Sequence, residues 1–80
     1  MQLTPAQVEI LQAVTHGSTL KSHRDLDGHK EYRLHTPDGQ STRVAWKDVE
    51  ALQSAGLIDS NKKFPAATYW LTDAGRVQLG

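Results

Sequence analysis

Two Asp-Gly steps, Asp27-Gly28 and Asp38-Gly39, bracket a run in which polar and apolar residues alternate from Lys30 to His35. Asp-Gly is a strong hairpin signal, because glycine accepts the positive φ that a tight turn demands. In Thr36-Pro37-Asp38-Gly39, Pro37 also presets φ for the turn. The alternation puts Tyr32 and Leu34 on one face and Glu31, Arg33 and His35 on the other. Thr19–His23 before the run and Gln40–Val44 after it read as further strands, the latter with Thr42 and Val44 inward. The expectation is a β-meander, or a hairpin with an edge strand. Helical periodicity on both sides of it constrains the chain to an α+β fold.

The first helix is announced by several agreeing devices. Thr4 suits the N-cap, Pro5 the first helical position, and Gln7 completes a capping box, with Leu3 placed to staple onto Val8. Val8, Leu11 and Val14, with Ile10 beside them, form the apolar face, and Gly17 stands where a left-handed cap belongs. The spacing predicts a helix over 5–16. A second helix is expected over 45–55, where Ala45, Val49 and Leu52 make a buried stripe and Gly56 ends it. Its start is poorly marked, since no capping side chain precedes Trp46. Leu57-Ile58 then returns to the core, Asp59–Ala67 reads as a polar loop, and Thr68–Leu71 as a strand. Thr72 can cap a last helical turn through Arg76.

A chain of eighty residues buries only about 60–65% of the surface its unfolded form exposes, so a tight single domain over 1–80 is expected. Cysteine is absent, which excludes disulfides, thiolate zinc sites and cysteine nucleophiles. Small secreted domains usually rely on such staples. Met1 leads into polar Gln2 with no apolar leader pattern, so a cytoplasmic setting is expected. The apolar runs are too short for a membrane span. Net charge is +0 with histidines neutral. Any basic surface must therefore come from segregation of charge. Lys21, Arg24, Lys30, Arg33, Arg43 and Lys47 do outnumber Asp25, Asp27, Glu31 and Asp38 in the middle segment.

The run Val49-x-x-Leu52-x-x-x-Gly56-Leu57-Ile58, followed by a loop and Tyr69-x-Leu71-Thr72-x-x-Gly75, resembles the second half of a winged helix. In that family a recognition helix ends in a Gly-Leu-Ile step, a β wing follows, and the returning strand closes in Leu-Thr-x-x-Gly. The opening Leu3-Thr4-Pro5 fits as well. The resemblance implies an N-terminal helix, a second helix that reads DNA, and a C-terminal β wing. Residues 18–43 depart from it, offering strands where a winged helix has the first helix of its helix-turn-helix. That layout, with Gly17, Arg24-Asp25-x-x-Gly28, Asp38-Gly39 and Leu57-Ile58, is similar to the YjhX-like family of small toxins.

Two functions follow as expectations. The first is a winged-helix DNA-binding protein, a small bacterial or phage transcriptional regulator. Arg43, Trp46, Lys47, Glu50 and Gln53 would face duplex DNA, and Lys62 and Lys63 at the wing tip would hold phosphate. A chain this small would dimerise for affinity. The second is a protein-binding module, a toxin or phage-encoded inhibitor that docks on a host protein through its sheet or Trp46. Neutral net charge and the missing helix favour it. The bland alternative for the site residues is a solvated helix face and a solubilising loop, and Asp48 and Glu50 would repel phosphate. Trp46 and Trp70 are expected to pack in the core, with one of Tyr69 and Trp70 facing the open side. His16, His23, His29 and His35 lack the spacing of a metal site and read as surface histidines. With no phosphate loop or nucleophile elbow, neither an enzyme nor a cofactor is expected.

Overall fold

The fold is that of a computed structural model describing residues 2–24, 26–62 and 66–79. Elements run α1 (Pro5–Thr15), β1 (Thr19–Arg24), β2 (Lys30–His35), β3 (Ser41–Val44), α2 (Trp46–Ser54), β4 (Ile58–Ser60), β5 (Ala66–Leu71) and α3 (Asp73–Leu79). The five strands form one antiparallel sheet in the order β3-β2-β1-β5-β4. The fold is a small α+β domain, as the patterning predicts.

Local chemistry explains the helix boundaries. The Thr4 side chain accepts from the Gln7 N–H at 3.2 Å, while Gln7 Oε1 accepts from the Thr4 N–H at 3.1 Å. Thr4→Ala is expected to cost about 0.5–2 kcal/mol. The check is a lower urea midpoint at unchanged slope. Both long helices end in Schellman motifs. Ser18 and Gly17 N–H groups donate to the carbonyls of Ala13 and Val14, and those of Leu57 and Gly56 donate to Leu52 and Gln53. Gly17 and Gly56 hold the positive φ this requires, at 105° and 77°. Leu57 and Leu52 are both buried, the apolar contact that accompanies the motif.

Both helices and the inward strand positions converge on one cluster of buried residues: Ile10, Leu11, Leu20, Tyr32, Val49, Leu52, Leu57, Ile58, Ala67, Tyr69 and Leu71. Leu20 stands opposite Leu34 on one side and Tyr69 on the other, which sets the core register of the central strands. Tyr32 and Tyr69 meet edge to face with ring centroids 5.9 Å apart.

Several expectations shift. The first helix buries Ile10 and Leu11 rather than a Val8/Leu11/Val14 stripe, and Gln7 is buried beside them. Gln7 can go inside because its amide is used twice, in the capping box and as a donor to Asp48 Oδ1 at 3.5 Å. The segment read as a loop from Asp59 opens with a strand, because Ile58 and Asp59 pair with Leu71 and Trp70 across a hairpin. The expected last turn is a longer helix. Thr72 Oγ1 accepts from the Gly75 N–H at 3.1 Å and donates to the Gly56 carbonyl at 2.5 Å, tying α3 to the end of α2.

Candidate nucleic-acid interface

The expected DNA-facing residues do not form one surface. Arg43 points outward from β3 at one margin of the sheet, and Lys62 follows β4 at the other. Strand spacing puts these margins about 19 Å apart. Lys47 and Glu50 are exposed on α2, Gln53 is half-buried, and Lys62 sits in the left-handed region at φ 55°. Lys63 lies outside the described residues.

Neither tryptophan packs in the core. Trp46 is 54% exposed and Trp70 45%. The strand alternation decides Trp70, since Ala67, Tyr69 and Leu71 take the inward positions of β5. Trp46 lies in the first turn of α2, one turn ahead of buried Val49, where it borders a cleft of about 280 Å³. Lys30, Glu31, Tyr32, Arg43, Val44 and Ala45 complete that cleft. Lys30 Nζ lies 5.1 Å from the Tyr32 ring centroid, a cation–π contact. The cleft therefore brings together Arg43 and Trp46 of the expected set.

The residues that sequence reasoning missed lie on the open face of the sheet. Among the described strand residues, Thr19, Lys21 and His23, Glu31, Arg33 and His35, Ser41 and Arg43, Asp59, and Ala66, Thr68 and Trp70 all share the outward parity. Lys21 stands directly opposite Arg33, and Arg33 directly opposite Arg43. Glu31 Oε1 takes Arg33 Nε at 2.6 Å and its Oε2 lies 3.5 Å from Arg43 Nε. The hydrogen bond from Arg33, with smaller help from the charges of Arg33, Arg43 and His23, holds the Glu31 carboxyl below its ordinary range. It remains a carboxylate at neutral pH. The alternation of Lys21/His23 and of Glu31/Arg33/His35 is visible in the sequence. What was not visible is the register that aligns them.

The His23 and His35 rings meet edge-on at 6.0 Å between centroids, and among the described residues no group of three or more His, Cys, Asp or Glu side chains could hold a metal. Burial, with Tyr32 adding to it, raises the Tyr69 phenol above its ordinary value, so it stays neutral. No helix among the described residues is long and apolar enough to cross a membrane. Comparisons with protein-family models, curated proteins and solved structures found no match to this chain.

Proposed function

We propose that the chain is a winged-helix-like DNA-binding domain, in the manner of a small bacterial or phage transcriptional regulator. The observation that carries this reading is the neighbour order β1-β5-β4, with α1 leading into β1 and α2 into the β4–β5 hairpin. A winged helix arranges its sheet and wing in this way. The β2–β3 hairpin takes the place of the first helix of a helix-turn-helix. In this reading α2 presents Lys47 to the duplex, and Lys62, just after β4, grips phosphate together with its sequence neighbour Lys63. Arg43 is reassigned, because it belongs to the open sheet face and leans on Glu31.

A protein-binding module is the second reading, favoured by two exposed tryptophans and by Asp48 and Glu50 on α2. Salt separates the two. Three cations on phosphate give a log–log salt slope near about −3 per subunit, and Lys62→Ala with Lys63→Ala flattens it by about 2. Titration of an arbitrary duplex at about 50 mM salt measures this. Absence of binding at tens of micromolar protein overturns the DNA reading. For a protein partner, Trp46→Ala would dominate instead, at about 2 kcal/mol or more.

A further inference from the structure

The row Lys21–Arg33–Arg43 breaks a rule of sheet design. Like charges directly opposite one another across antiparallel strands are destabilising, and here two such pairs share one residue. Glu31 offsets Arg33 and Arg43, but among the described residues no acid forms an ion pair with Lys21. Local violations of this kind are expected where a surface serves a ligand rather than stability. Trp70 adds a second and different feature. Lys21 pairs with Thr68 of β5, so Trp70, two residues further on the same face, is its diagonal neighbour. The diagonal is about 7–8 Å, within reach of an aromatic ring. His23 and His35 lean together from either side of the Lys21–Arg33 pair.

The geometry points to a single-stranded nucleic acid as the occupant of this open sheet face, with phosphates on the Lys21–Arg33–Arg43 row and a base stacked on Trp70. Among the described residues, the three cations of the row exceed the two acids of the same face, Glu31 and Asp59, and this excess favours an anionic strand. The exposed ring beside the row selects one that carries flat π-faces, since base stacking on aromatic side chains combined with a basic track is how such strands are held. A duplex does not suit this face, because five strands span about 19 Å between outer axes while the major groove is about 12 Å wide. The row meets α2 only where Arg43 shares a cleft with Trp46, and it includes none of Lys47, Lys62 and Lys63, so the proposal stands apart from the duplex reading.

The test is fluorescence anisotropy of labelled oligo(dT) and oligo(U) 20-mers with the intact chain at about 50 mM salt. Binding is expected with a log–log salt slope near about −2, at about −0.7 per contacted phosphate, and Lys21→Gln is expected to flatten it by about 0.7. Trp70→Ala is expected to weaken binding by roughly 5- to 150-fold, with Trp70→Phe retaining most of it. Arg76→Gln, at an exposed cation on α3 outside the row, is the control, and it is expected to leave single-strand binding unchanged. Urea melts of each variant exclude unfolding as the cause, and Lys21→Gln, which relieves repulsion, is expected to melt no earlier than wild type. No binding of either oligomer at tens of micromolar protein overturns the proposal. So does binding that ignores Lys21→Gln and Trp70→Ala, that is lost equally with Arg76→Gln, or that Lys47→Ala or Lys62→Ala weakens more than Lys21→Gln does. Retention of an acidic protein on this face without any oligomer binding overturns it too.

Discussion

Leu52→Ala is expected to lower the unfolding free energy by about 2–5 kcal/mol. Leu52 is fully buried at the meeting point of α2 with the covered sheet face. Truncation removes its transfer free energy and leaves a cavity that rigid neighbours on several elements can only partly close. At about 0.05–0.15 kcal/mol per residue, an eighty-residue chain has about 4–12 kcal/mol in total, so this one truncation removes a large share of it. Urea melts with a lower midpoint and unchanged slope are the expected readout. Leu26→Ala is the control, because Leu26 is fully exposed and its loss is expected to be neutral. Equal melts for Leu52→Ala and wild type would show that α2 does not bury this face.

Gly75→Ala is expected to destabilise by about 1–3 kcal/mol, against the usual sign for a helix. In an ordinary helix interior the same change gains roughly 0.5–1 kcal/mol, by restricting the unfolded chain. Here an added Cβ would lie 2.1 Å from the Leu57 carbonyl oxygen and 3.3 Å from Leu71 Cδ2. The obstruction is backbone at the end of α2, which cannot swing aside as a flexible side chain would. Thr72 pins the same junction through the Gly56 carbonyl, and its N–H donates to the Leu57 carbonyl at 3.1 Å. Helix α3 must therefore lift or shift as a unit. Urea melts followed by far-UV circular dichroism measure the sign, and a stabilised variant would mean that α3 does not approach Leu57 so closely.

These two residues show different degrees of legibility. Leu52 was readable, because its spacing from Val49 and its place before Gly56 mark a buried helical position. Gly75 was readable only as part of a motif. Its reason is a close approach to the Leu57 backbone, in the bend between α2 and β4, which no local pattern encodes. The candidate surfaces divide in the same way. Lys47 and Lys62 were visible as exposed cations on a helix and a turn. Lys21 and Arg33 were visible as outward members of alternating strands, yet nothing in their spacing put them opposite each other.

What the sequence by itself determined is the set of local states. Caps at Thr4 and Thr72, left-handed stops at Gly17 and Gly56, and turns at Gly28 and Gly39 each depend on a few neighbouring dihedrals and hydrogen bonds. Such signals are written within a handful of residues. Only the tertiary structure decided that β1 runs between β2 and β5, that both tryptophans stay outside, and that three cations share one row. Strand order and register depend on which distant apolar faces bury one another, and a shift of one residue would turn every side chain to the opposite face. Leu20, held between Leu34 and Tyr69, settles that register, and the charges on the other face follow from it.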